Sequence, residues 1–108
     1  MELSKSYLEN LKYHVLTSLR FAWSIRANTP EQAIRIALGK ALRKPVSLFG
    51  RVTIKPKSHV RYIIVFEDLN IKAEATVSTR TVTSPSLYIP RPTFTDYIVT
   101  FVETWVKE

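Results

Sequence analysis

Residues 48–80 read LFGRVTIKPKSHVRYIIVFEDLNIKAEATVSTR, and their alternation decides the fold class. Leu48, Gly50, Val52 and Ile54 alternate with Phe49, Arg51, Thr53 and Lys55. Side chains along a strand point to opposite faces in turn, so this pattern predicts a strand buried on one side. Pro56-Lys57-Ser58-His59 supplies the residues of a hairpin turn. Val60 to Glu67 is apolar on both sides, with Tyr62, Ile64 and Phe66 against Ile63 and Val65, as a central strand would be. After a turn at Asp68, Leu69, Ile71, Ala73, Ala75 and Val77 alternate with Asn70, Lys72, Glu74, Thr76, Ser78 and Arg80. Three strands joined by short turns predict an antiparallel sheet.

Towards the N-terminus, Thr29-Pro30-Glu31-Gln32 is a helix start. Thr29 can cap, Pro30 suits the first helical position and Gln32 completes the capping box. Ile34, Ala37, Leu38, Ala41 and Leu42 form the buried stripe, and Pro45 stops the helix. Tyr13, Val15, Thr17, Leu19, Phe21, Trp23, Ile25 and Ala27 alternate with His14, Leu16, Ser18, Arg20, Ala22, Ser24 and Arg26. This predicts a further strand with the first set buried and the second solvated. Leu3, Tyr7, Leu8 and Leu11 before it fit a short helix. Towards the C-terminus, residues 81–93 carry Pro85, Pro90 and Pro92 among Ser and Thr and read as an extended loop. Phe94, Tyr97, Ile98, Phe101, Val102 and Trp105 then fall at helical spacing; the same residues also alternate, so a strand is the alternative. The expectation is one α+β domain over 1–108, in the order α-β-α-β-β-β-α. Its four-stranded, mainly antiparallel sheet carries helices on one face.

The charge is one-sided. From Arg35 to Arg61 there are eight basic residues and no acidic one, and residues 1–61 hold 12 Lys/Arg against 3 Asp/Glu. Residues 62–108 hold 4 against 6, so the formal charge of +7 belongs to the first half. Such a field attracts polyanions, which makes nucleic acid the first partner to expect. The hydrophobic share of 45% with only two glycines excludes a disordered tail as the dominant state. The absence of cysteine excludes disulfides and thiolate zinc sites. No run reaches about 18 apolar residues and the first five lack a secretory layout, so no membrane is expected and cytoplasmic residence is the default. Few Asn, Gln and Met residues lean towards a thermophilic source.

The outward strand positions hold Arg20, Arg26, Arg51, Lys55 and Arg61, the expected phosphate contacts, with Phe49 beside them to stack on a base. Arg35, Lys40 and Arg43 add a patch on the outer side of the central helix, and Lys57 lies at the hairpin tip. Catalysis finds little support. His14 and His59 lack a motif, Glu67-Asp68 is too small a cluster for a hard metal, and there is no glycine-rich phosphate loop. No cofactor, metal or small-molecule substrate is expected. The expectation is a non-enzymatic RNA- or DNA-binding module. Its alternative is an assembly subunit, archaeal or viral in origin, that homodimerises through its sheet.

From Thr29 onward, helix, three strands, helix is similar to the double-stranded-RNA-binding domain, with Pro56-Lys57-Ser58-His59-Val60 standing at the loop between that family's first two strands. Where that family has a lysine-rich run opening its last helix, this chain reads Arg91-Pro92-Thr93-Phe94-Thr95-Asp96. From Leu19, through Thr29-Pro30-Glu31-Gln32-Ala33, the order also resembles the small dimerising subunit of an archaeal tRNA-modification complex, which makes contacts through its sheet. No family is claimed from either likeness.

Overall fold

The structure, a computed structural model, describes residues 5–80 and 95–106, apart from the side chains of Lys5 and Arg80. Helix α1 (Lys5–Ser18) leads into strand β1 (Ala22–Ala27), helix α2 (Pro30–Leu42) and a 3-10 turn (Val46–Phe49). Strands β2 (Val52–Pro56), β3 (Arg61–Phe66), β4 (Ile71–Arg80) and β5 (Thr95–Val106) complete the α+β architecture. The five strands run in the order β1-β5-β4-β3-β2, with every pair antiparallel. Helix α2 packs on β1, β5 and β4, while α1 lies against α2. The expected Pro-rich loop at 81–93 lies outside the described residues.

The start of α2 follows its sequence signals. Thr29 Oγ1 accepts from the Gln32 N–H at 3.1 Å, and the Gln32 side chain accepts from the Asn28 N–H at 2.9 Å. The first bond satisfies an orphan donor of the helix start, Pro30 has none to satisfy, and the second ties down the residue before the cap. The helix ends where Arg43 turns left-handed (φ 58°), its N–H still bonded to the Gly39 carbonyl at 3.0 Å. Ala33, Ile34, Ala37, Leu38, Ala41 and Leu42 are all buried. The β2–β3 hairpin closes with the Lys57 and Ser58 N–H groups donating to the Arg61 carbonyl. Asn70, a residue that tolerates φ of 53°, turns the chain into β4.

Three expected elements are corrected. Residues 13–18 belong to α1 rather than to a strand, because Leu11, Val15 and Leu19 recur four apart and all three are buried in one core. The alternation seen there is real but incidental to that stripe. Leu48 and Phe49 lie in the 3-10 turn rather than in a strand, and Phe49 is only 1% exposed. The C-terminal segment is strand β5, not a helix, so the sheet has five strands instead of four and the element order differs from that expected. β5 sits between β1 and β4, which calls for apolar residues on both faces, and an irregularity opposite Glu74/Ala75 leaves Val102 without a partner. That extra residue breaks strict alternation and produces the helix-like spacing. The helix-three-strands-helix order of the double-stranded-RNA-binding domain is therefore not present.

Candidate nucleic-acid interface

Register fixes which side chains share the open face of the sheet, because directly paired residues point the same way. One row reads Glu103, Glu74, Ile63 and Lys55 across β5, β4, β3 and β2; the next reads Trp105, Lys72, Val65 and Thr53. Arg61 aligns with Thr76 and Thr100, and Arg26 with Asp96. Cations and carboxylates are therefore interleaved here. Arg26 Nε lies 3.3 Å from Asp96 Oδ1, and Lys57 Nζ lies 3.2 Å from Glu74 Oε1. Lys57 answers a local need, since Glu74 faces Glu103 directly across the strands. Arg51 immediately precedes β2, where its carbonyl takes the Glu67 N–H at 2.9 Å. Carboxylates therefore interrupt the open face, which is not the continuous basic platform that the outward positions suggested. Arg26, Lys55, Lys57, Arg61 and Lys72 still outnumber Glu74, Asp96 and Glu103 on it.

Two expected members of that platform are elsewhere. Phe49 is buried, its ring stacked on that of His14 with centroids 5.7 Å apart and 9° between planes, so it cannot stack on a base. The 3-10 turn after Pro45 rotates it inward. Arg20 lies in the α1–β1 connection rather than on a strand. The helix patch is also divided. Arg35 reaches Glu31 and the Val52 carbonyl, both at 3.4 Å, and so covers the exposed edge of β2. Lys40 and Arg43, three residues apart, share the exposed side of the last turn of α2.

At that end of the molecule the structure brings together residues that sequence reasoning had separated. His14 Nε2–H donates to the Leu42 carbonyl at 2.6 Å, joining α1 to the last turn of α2. The chain then reverses through Leu19-Arg20-Phe21. The Trp23 indole N–H donates to the Arg20 carbonyl at 3.2 Å, and the Phe101 N–H donates to the Phe21 carbonyl at 3.3 Å. Phe21 has φ 70° and is 76% exposed. Around this corner lies a cleft of about 320 Å³, lined by His14, Thr17, Ser18, Phe21, Trp23, Ala41 and Arg43. That volume is at the small end of ligand pockets. Segments 12–24 and 36–48, which supply its lining, contain Lys12, Arg20, Lys40, Arg43 and Lys44 and no acidic residue, while Glu9 pairs with Lys12 and Glu103 lies two residues beyond Phe101 on β5. Arg20, Lys40, Arg43 and Lys44 make no ion pair among the described residues.

Sequence reasoning missed Phe21 and Trp23, having placed both on the buried face of a strand. The interleaving in Arg20-Phe21-Ala22-Trp23 was the available signal. A second cleft, between α1 and the 3-10 turn, is lined by Tyr7, Leu8, Leu11, Leu48, Phe49 and Leu69, with Asp68 its acidic member. Asp68 is engaged, its carboxylate accepting from the Arg51 N–H at 2.8 Å. Among the described residues no group of His, Asp and Glu side chains is assembled to hold a metal ion, and no helix is long and apolar enough to cross a membrane.

No family model, no curated protein and no solved structure matches this chain.

Proposed function

We propose that this chain is a non-enzymatic nucleic-acid-binding module whose contact surface is the corner between α1, β1 and the end of α2. The observation that carries the reading is the cleft lined by Phe21, Trp23 and Arg43, with Arg20, Lys40 and Lys44 on the segments that build it, all four cations exposed and without ion pairs among the described residues. Cations left without internal partners attract phosphates and release counterions on binding them. On the open sheet face Arg26 and Lys57 hold carboxylates, while Lys55, Arg61 and Lys72 are without ion pairs among the described residues and form the competing contact surface. His14 is occupied in the helix contact and its stack with Phe49, which suits a structural role better than a catalytic one. Anisotropy titration of a labelled oligonucleotide across salt concentrations tests the proposal. Binding should weaken steeply with salt, and no binding at low salt would end the reading.

One observation favours a second use of the molecule. Ile63 and Trp105 lie on the open face half-exposed, in the rows of Lys55 and Lys72 respectively, and so present apolar surface to a partner. Glu74 and Glu103 on one side of that face, with Lys55 across it on β2, would complement a second copy turned by a two-fold axis. Light scattering decides this reading: a dimer lost in Ile63→Asp supports it, and a monomer at all concentrations removes it.

A further inference from the structure

We infer that the corner cleft takes an unpaired nucleobase stacked on Phe21, so that the module prefers single strands to duplex; this rests on the nucleic-acid reading above. A phenylalanine ring normally leaves water, and a bulky side chain normally avoids left-handed backbone. Phe21 does neither, with φ 70° and 76% of its surface exposed. Backbone outliers of this kind persist where the surroundings hold them, and they cluster at ligand-contacting positions. The surroundings here are specific. The Phe21 carbonyl is tied to β5 through the Phe101 N–H, and the Trp23 indole on its other side is tied to the Arg20 carbonyl. The Phe21 backbone and the Trp23 indole are thus positioned before any ligand arrives.

The rest of the cleft suits a base with its phosphate. Ala41 contributes only a methyl group to the lining, leaving room for a flat ring. Thr17 Oγ1 donates to the Tyr13 carbonyl at 2.8 Å and keeps its lone pairs, and Ser18 contributes a second hydroxyl. These groups can meet the polar edge of a base. Arg43 lines the same cleft with an unpaired guanidinium, the side chain best suited to a phosphate or a second stacking plane. Arg20, Lys40 and Lys44 extend the positive charge beyond the cleft, which fits the successive phosphates of a strand better than one free nucleotide. A duplex hides its base faces within the stack, so only an unpaired base can use the Phe21 ring.

The test uses Trp23 as the reporter. Trp105 is the second of the two tryptophans, and Trp105→Phe removes its signal. In that background a short single-stranded oligonucleotide should quench Trp23 emission. Phe21→Leu should weaken single-strand binding roughly tenfold while leaving duplex affinity and the salt slope unchanged. Phe21→Gly removes the ring while easing the backbone, so an equal loss there excludes a folding defect. Native affinity in both variants, with salt-sensitive binding intact, overturns this inference and leaves the proposed function standing. AMP binding as tightly as the oligonucleotide would overturn the strand assignment in favour of a free nucleotide. Failure to bind either strand form at low salt would remove the proposed function, and this inference with it.

Discussion

Replacing Phe21 by glycine and, separately, by alanine tests whether the corner is held in a strained conformation. Both variants delete the same ring, so contact losses cancel in the comparison. Those losses are small: with 76% of the residue exposed, about a quarter of the burial of a phenylalanine is at stake, roughly 0.5 kcal/mol. The backbone term does not cancel. At φ 70° a residue with a Cβ incurs about 1–2 kcal/mol of left-handed strain that glycine avoids. Glycine gives back about 0.4–1 kcal/mol through the greater freedom of its unfolded chain. Phe21→Gly should therefore exceed Phe21→Ala in stability by roughly 0.8 kcal/mol. For 108 residues that separates the melting midpoints by about 3–4 °C. The sign is opposite to the ordinary strand or helix interior, where alanine is the better residue by about 0.5–1 kcal/mol. Thermal denaturation followed by circular dichroism reads the difference. An alanine variant more stable than the glycine variant by about 0.5–1 kcal/mol, as at an ordinary position, would refute the strained corner.

The same reasoning at the end of α2 predicts that Arg43→Gly, at φ 58°, raises stability by about 0.5–1 kcal/mol in urea while lowering oligonucleotide affinity. Phe49→Ala should cost about 3–5 kcal/mol, read as a fall in the denaturation midpoint, because its ring is buried against His14; a change within about 0.5 kcal/mol would mark a surface residue. Gly50→Ala should cost more than about 1 kcal/mol in a thermal melt. At φ 83° the residue is left-handed, and an added Cβ would run into the Asp68 carboxylate that holds the Arg51 N–H.

The parts of the fold legible in the sequence were those specified by local chemistry. Thr29, Pro30 and Gln32 mark a helix start through bonds within one turn, and Lys57 to His59 mark a hairpin in the same way. β3 and β4 were readable because Ile64, Phe66, Ile71, Ala73 and Ala75 face one core without interruption. Tyr13 to Leu19 misled because three- and four-residue spacing and alternation share members over so short a stretch, and only the packing of Val15 and Leu19 with the rest of the core separates them. The C-terminal strand was hidden by Val102, whose extra position shifts the pattern midway along β5.

The candidate site was legible as charge and illegible as geometry. Arg20, Lys40 and Arg43 were expected to contact phosphates, but the cleft at that end depends on the chain reversals at Phe21 and Arg43, both left-handed. Two non-glycine residues in that conformation leave no ordinary sequence signal. The open face shows the converse: Asp96 and Glu74 come from distant stretches, and their pairing with Arg26 and Lys57 follows only from strand order.

The most direct test compares salt dependence in two sets of variants. Each lost phosphate contact lowers the slope of log affinity against log salt by about 0.7–0.9. Replacing Arg20, Lys40 and Arg43 together by glutamine should therefore reduce the slope by about 2 to 3, while replacing Lys55 and Arg61 on the open face should leave it nearly unchanged. A slope that falls with Lys55 and Arg61 and survives the loss of Arg20, Lys40 and Arg43 would place the contact on the sheet and contradict the account.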